Sequence, residues 1–360
     1  MEDWALVVGI TQYPGISTLG GPERDARDFF KWVTSPQPEG GGVDPHEKTG
    51  RAKLIITSTC IPSPPYQSFL EAKPTMEGIT GVFEKMYALS EQNNANGKGR
   101  QIGRRLYLYF AGHGLEPKDE VALLMANAKE GIWNNHVSGT GWADWLYKAG
   151  FFEEILLFMD CCRDYFPSVT PNPVFPELLA GNNIVKKRFY AFATAWGKKS
   201  WEREMEDDKQ VHGVFTTTLM KGLRGAACDR FTGDITATSL RGYLKDAMQF
   251  FFTEQDRKNP AIRKDPIIPG FEDPDFTIAR VTAIPSYQIT INLPAEFQNQ
   301  ALQLIYGSGQ HMQITDLNSQ GATLPLTLSR GSYTLKIKGE GGIAKGFDVK
   351  GIGPEDVTPN

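Results

Sequence analysis

The feature that most constrains this chain is a series of strand-length apolar runs separated by segments of helical periodicity. WALVVGI (4–10), KLIITS (53–58), RLYLYFAGHG (105–114), EILLFMD (154–160) and RFYAFATA (188–195) are such runs. Between them, ERDARDFFKWV sets Ala26, Phe29, Phe30 and Val33 on one helical face, and PTMEGITGVFEKMYAL (74–89) and GWADWLYKAG (141–150) repeat the pattern. HGVFTTTLMKGLRG (212–225) and TSLRGYLKDAMQFFF (238–252) predict two further helices, and VALLMAN (121–127) a short strand. Strands that are apolar on both faces, alternating with amphipathic helices, require a mostly parallel sheet covered on both sides. The stretch SEQNNANGKGRQIG reads as an exposed polar linker.

The pattern changes near residue 275. YQITINL, ALQLIYG, HMQITDL, TLPLTLS, GSYTLKIKG and KGFDVKG alternate with a period of two and carry turn signals every few residues. They predict a small antiparallel β-sandwich of the immunoglobulin-like kind. The expected organisation is an α/β domain over 1–275 and a β-sandwich over 285–353, joined by EDPDFTIARVTAIPS (272–286).

Composition excludes several classes. The net charge of the 360 residues is −4, and no Lys/Arg-rich run interleaves with aromatics, so no nucleic-acid partner is expected. No run reaches the ~18 apolar residues of a membrane helix, and the opening MEDWALVVGI lacks the positive start of a secretory signal. A soluble, cytoplasmic protein without a membrane partner is the expectation. The four cysteines, Cys60, Cys161, Cys162 and Cys228, form no CxxC pair and have no His cluster at zinc spacing. They read as free thiols, with no metal and no cofactor.

In open parallel sheets reactive groups collect at the carboxyl ends of the strands. Here one strand ends in His113 and another in Cys161 and Cys162, 49 residues from the histidine. Adjacent strands would bring a thiol beside an imidazole, which activates it as a nucleophile. The other four histidines, His46, His136, His212 and His311, lie away from strand ends. Gly114, with no Cβ, lets its N–H approach a substrate carbonyl and, with the N–H of the cysteine, build an oxyanion hole.

These pieces resemble the caspase-like cysteine peptidases, the superfamily of caspases, metacaspases, paracaspases and bacterial relatives. WALVVGITQYPG, ERDARDFF, YLYFAGHG, LLFMDCCRD, FYAFATA and HGVFTTTLMKGLRG occur in the family's order over about residues 4–250. The resemblance implies a caspase-like fold, a protein or peptide substrate and a Cys–His dyad. Aligned on Arg163, it makes Cys162 the nucleophile, His113 the general base and Cys161 the small residue before it. Bacterial relatives are often effectors switched on by an upstream protease or sensor protein, which implies such a partner here.

The sequence departs from caspases at the specificity pocket. Asp160 stands where they carry Gln, and Asp25 matches an acidic position of metacaspase-like enzymes. Two carboxylates would repel aspartate and attract a guanidinium or ammonium, so cleavage after Arg, then Lys, is expected. Arg24 adjoins Asp25 and is placed to neutralise it, and Ala111 replaces a serine of basic-specific relatives. By the same resemblance ATAWGKKSWERE (193–204) forms the wall of the substrate groove, bringing in Ala193, Trp196 and Trp201. KKR (186–188) fits self-cleavage or a solvated flank, and EREMEDDK (202–209) a cation site or solvated acids. Two other functions compete: an inactive caspase-like scaffold acting through protein contacts, and a nucleotide-binding α/β protein. The second lacks any GxGxxG or GxxxxGK[ST] after the first strand.

Overall fold

The computed structural model describes residues 2–175, 186–194, 201–205, 209–259, 264–306, 312–339 and 342–360. Its centre is a five-stranded parallel sheet. The elements that build it are β1 (Trp4–Gly9), α1 (Pro22–Thr34), β2 (Ala52–Ile56), α2 (Met76–Ala95) and β3 (Arg105–Gly112). After β3 come β4 (Gly114–Glu116), β5 (Ala122–Leu124), β6 (His136–Ser138), α3 (Gly139–Ala149), β7 (Glu154–Cys161), β8 (Asp164–Tyr165) and β9 (Lys187–Phe192). The order in the sheet is β2-β1-β3-β7-β9, every pair parallel.

Residues alternate strictly between two apolar layers. Tyr107, Tyr109, Leu156 and Phe158 pack against Phe29, Trp32 and Val33 of α1. Leu106, Leu108, Ile155 and Leu157 pack against Phe83 of α2 and Trp142 of α3. That two-sided burial is why the strands carry almost no polar residue. Gly9 lets α1 begin directly on the end of β1: a Cβ there would lie 2.4 Å from the Pro22 carbonyl oxygen.

Further elements complete the α1 side. They are β10 (Glu202–Glu204), β11 (Val211–Gly213), α4 (Val214–Lys221), β12 (Asp234–Thr236), α5 (Ala237–Ala247) and β13 (Thr277–Arg280). Of the two expected helices, the first starts at Val214 rather than His212 and continues as a π-helical turn from Gly222 to Ala226, while the second starts at Ala237 on its Thr236 cap and continues as a 3₁₀ turn to Phe251. Three other expectations are corrected. Helix α2 runs on into the polar stretch as far as Ala95. Residues 122–124 join a separate sheet, β6-β5-β4-β8, not the central one. The stretch 272–286 contributes β13, which pairs with β12. Buried Arg105 holds β13 in place, donating to the carbonyls of Ile278 (2.6 Å) and Thr277 (2.5 Å) while its Nε meets Glu154 at 2.7 Å.

From Tyr287 the described elements are strands, apart from one 3₁₀ turn at Ala295–Phe297. The strands β14 (Tyr287–Asn292), β15 (Ala301–Tyr306), β16 (Gln313–Asn318), β17 (Thr323–Leu328), β18 (Gly331–Ile337), β19 (Ala344–Val349) and β20 (Glu355–Val357) form sheets β17-β14-β20 and β16-β15-β18-β19. Ile289, Ile291, Phe297, Leu302, Leu304, Leu335 and Phe347 fill the space between them. Against α5, the Tyr243 hydroxyl donates to the Gly351 carbonyl (3.2 Å), and Arg330 pairs with Asp246 (3.2 Å). Among the described residues no helix is long and apolar enough to cross a membrane.

Candidate active site

Strands β3 and β7 run side by side, and their last paired rung is Gly112 with Cys161. The next residue on each strand is His113 and Cys162, so the imidazole and the thiol leave neighbouring strands at one level. Adjacent strands lie about 4.8 Å apart. Alternation sends Cys161 into the α2/α3 layer, where it is buried and its thiol is raised well above the usual range by desolvation. Cys162 follows the end of β7 and is half-buried.

His113 is held by the loop joining β1 to α1. Its Nε2 lies 2.8 Å from the main-chain carbonyl oxygen of Ser17 and 3.2 Å from the Ser17 hydroxyl. A carbonyl can only accept, so Nε2 carries the proton and Nδ1 is the basic nitrogen of the neutral ring. Gly114 is pressed onto the cysteines: a Cβ there would fall 2.5 Å from the Cys162 carbonyl oxygen and 2.7 Å from the Cys161 sulfur. Gly114 faces Leu123 across the β4–β5 pair, and the adjacent His113–Leu124 rung carries the bond from the Leu124 N–H to the His113 carbonyl (2.8 Å). Ladder bonds alternate along an antiparallel pair, so the Gly114 N–H points away from β5.

Arg163 ties the two strand ends together. Its Nε and Nη2 meet the two oxygens of Glu116 at 3.0 and 2.9 Å, a bidentate pair that is largely buried. The guanidinium also lies over the Phe192 ring at 5.3 Å. Strand β4, which follows the histidine, is thereby fastened to the segment following the cysteine.

Asp25 and Asp160 lie close together. A Cβ on Gly213 would sit 2.1 Å from Asp160 Oδ2 and 3.1 Å from Asp25 Oδ2, so both carboxylates face one point. Asp160 Oδ2 accepts from the Thr216 N–H (3.1 Å) and hydroxyl (2.7 Å), and the Tyr109 hydroxyl contacts that hydroxyl at 2.6 Å. Asp25 is 2% exposed; its Oδ2 accepts the Gly213 N–H at 2.8 Å and its Oδ1 meets His212 Nδ1 at 2.6 Å. Burial pushes the Asp25 carboxyl up to about 7, the nearby Asp160 adding to the rise while the bonds from His212 and Gly213 oppose it. Arg24 does not neutralise Asp25; its guanidinium donates to the Val211 carbonyl at 2.6 Å.

Sequence reasoning missed several of these groups. Glu202 accepts the N–H groups of Gly20 (2.9 Å) and Gly21 (3.2 Å) and pairs across β10–β11 with Gly213, so a third carboxylate borders the acidic pair. His212, expected at the start of a helix and away from strand ends, lies in β11 on Asp25. The charge run 202–209 and the groove-wall stretch 193–204 both contain Glu202 without singling it out. Ala193 is 2% exposed with its methyl in the α1-side core, so only its main chain can reach a groove. Ala111 is likewise buried, at 1% exposure. Trp196 lies outside the described residues; Trp201 is 37% exposed just before β10. In the KKR stretch, Lys187 and Arg188 belong to β9, and Arg188 is wedged between the Tyr147 and Phe271 rings at 4.0 Å from each and bonded to Asp273 at 3.1 Å. Among the described residues no cluster of His, Cys, Asp or Glu could hold a metal ion.

A parallel α/β sheet with a cysteine and a histidine at adjoining strand tips defines the class of caspase-fold proteins. The chain belongs to that family: the caspase-domain family model (Peptidase_C14) matches residues 2–265. A probable protease from a Desulfuromonadales bacterium is 27% identical over 245 residues, which is 62% of this chain and 26% of that relative. The chain therefore matches only about a quarter of that relative's length. Among solved structures, caspase-1 from Spodoptera frugiperda aligns with 78% of this chain and 91% of its own at 13% identity and a TM-score of 0.44. The Drosophila initiator caspase Dronc aligns with 70% and 75% at 11% identity and a TM-score of 0.36.

Proposed function

We propose that the protein is a cysteine endopeptidase that cleaves polypeptides after basic residues, Arg before Lys, through a Cys162–His113 dyad. The observation that carries the reading is the register: Gly112 pairs with Cys161, and His113 and Cys162 follow at the same level. In the reaction Cys162 Sγ attacks the scissile carbonyl while His113 Nδ1 takes the thiol proton. His113 then delivers that proton to the departing amine, which breaks the peptide bond and leaves a thioester. Water, deprotonated by the same nitrogen, releases the acid. The N–H groups of Gly114 and Cys162 face the developing oxyanion.

The basic preference rests on Asp25 and Asp160 converging on Gly213, with Glu202 beside them. A guanidinium binds such carboxylates through charge-assisted bonds, which an aspartate side chain cannot make. A regulated effector, switched on by an activating protease or sensor in the cytoplasm, is the role that the family resemblance implies. Digestion of a peptide library by the purified protein, beside Cys162→Ala and His113→Ala, tests the reading. Cleavage after Arg and Lys that both variants abolish is the expected result. Cleavage after Asp refutes the specificity, and activity persisting in Cys162→Ala refutes the nucleophile. A biological effect unchanged in Cys162→Ala would mark the scaffold alternative.

A further inference from the structure

Strand β3 ends at Gly112 and β4 begins at Gly114, so His113 is the single residue between two strands. The reason lies in Tyr13. In the antiparallel pairing of β4 with β5, His113 and Leu124 are the next rung and would ordinarily exchange two hydrogen bonds. One of them is present: the Leu124 N–H donates to the His113 carbonyl at 2.8 Å. The other is interrupted by a side chain. The His113 N–H donates to the Tyr13 hydroxyl at 3.0 Å, and that hydroxyl donates to the Leu124 carbonyl at 3.2 Å. The phenol oxygen is wedged into the ladder and uses both its accepting and its donating capacity there.

The wedge is enclosed. Tyr13 is 1% exposed, and a Cβ on Gly112 would fall 2.3 Å from its oxygen, so only glycine leaves room for it. The edge of the Tyr13 ring packs against the imidazole, with ring centroids 4.8 Å apart at 67°. The same loop that brings Tyr13 supplies Ser17, whose carbonyl accepts the Nε2–H hydrogen bond. One loop thus grips His113 at both ends, main chain and ring.

We propose that Tyr13 is a positioning residue for the general base: its inserted hydroxyl sets the separation of His113 from β5 and hence the direction in which the imidazole meets Cys162. This rests on the Cys162–His113 dyad and is independent of the acidic pocket. Without the hydroxyl, the hairpin either closes its missing bond and draws His113 toward Leu124, or leaves a buried N–H and carbonyl unpaired. Both move the base, and a shift of about 1 Å costs on the order of a hundredfold in rate.

Tyr13→Phe keeps the ring and removes the wedge. Two quantities are read on the full chain: kcat and KM on the best cleaved peptide, and the pH profile of Cys162 alkylation by iodoacetamide from pH 5 to 9. The wild-type thiol, paired with the imidazole, is expected to stay reactive below the range of a free cysteine. In Tyr13→Phe the profile moves toward that of a free cysteine, near pH 8.5, and kcat falls about ten- to a hundredfold with KM unchanged. A wild-type alkylation profile and kcat in Tyr13→Phe overturn the proposal, whatever the melting temperature does. His113→Ala in parallel separates the two levels: if it leaves the alkylation profile unchanged, the dyad itself is wrong. Should Tyr13→Phe fail to fold, a ring-fluorinated tyrosine at position 13 keeps the shape while weakening the oxygen as an acceptor. It is expected to shift the profile in the same direction, and no shift overturns the proposal.

Discussion

Replacing arginine by citrulline before the scissile bond isolates the charge that the acidic pocket is built to read. Citrulline keeps nearly the shape of arginine but exchanges the guanidinium for a neutral urea. The ratio of kcat/KM for the two substrates therefore cancels the titration of Cys162 and His113 and leaves the pocket's response. Burial raises the Asp25 carboxyl to about 7, which puts its change of charge in the accessible range. Below that value the Asp25 carboxyl is protonated and offers a guanidinium no charge; above it, it is a carboxylate. A charge-assisted hydrogen bond contributes about 1.5–3 kcal/mol, which at ~1.4 kcal/mol per factor of ten is roughly ten- to a hundredfold. The Arg/citrulline ratio should therefore climb by that factor between pH 5.5 and 8.5, with a midpoint near the free-enzyme value of about 7. In Asp25→Asn the ratio should be low and flat. A flat ratio in the wild type, or the same climb in Asp25→Asn, would refute the role given to Asp25.

Four further outcomes follow from the same geometry. The raised Asp25 carboxyl means that the native state binds an extra proton between the unfolded value, 3.8, and about 7, so its contribution to stability is lost as pH rises through that window, by about 4 kcal/mol in all. Asp25→Asn should accordingly raise the urea midpoint at pH 8, with the gain shrinking as pH falls toward 4. Glu116→Ala leaves Arg163 buried and unpaired and should cost about 3–5 kcal/mol in urea unfolding, with Glu116→Leu/Arg163→Met recovering most of it. Gly114→Ala puts a methyl group against the Cys162 main chain and should abolish turnover in a peptide assay while the far-UV circular dichroism is kept. Thr216→Val removes the hydroxyl bond to Asp160 and should raise KM for Arg substrates several-fold with kcat nearly unchanged in steady-state kinetics.

The parts of this molecule legible in the sequence are those written locally. The double-sided strands announce themselves because each is buried on both faces, and the histidine and cysteine are visible because they interrupt apolar runs at strand ends. Asp25 and Asp160 are accessible by resemblance, because both match acidic positions of metacaspase-like relatives. The remaining groups act through contacts that no local pattern encodes. Glu202 meets Gly20 across 182 residues, His212 reaches Asp25 across 187, and the Tyr13 hydroxyl meets His113 across 100. Tyr13 looked like one more aromatic residue in a Gly/Pro-rich loop, and Arg163 like a marker for alignment. Their roles depend on which strand tips the topology brings together. The start of α4 at Val214 was hidden for a related reason: Gly213 is needed as the point where two carboxylates meet the backbone, and its helix begins after it.

The most direct test is covalent. A peptidyl-arginine chloromethyl ketone, incubated with the full chain and followed by peptide mapping, reads the nucleophile and the specificity in one measurement. The expected result is a single adduct on Cys162, absent from His113→Ala and slowed at least tenfold when the arginine is replaced by aspartate. Labelling of Cys60, Cys161 or Cys228 in place of Cys162, or faster labelling by the aspartate reagent, would contradict the assignment.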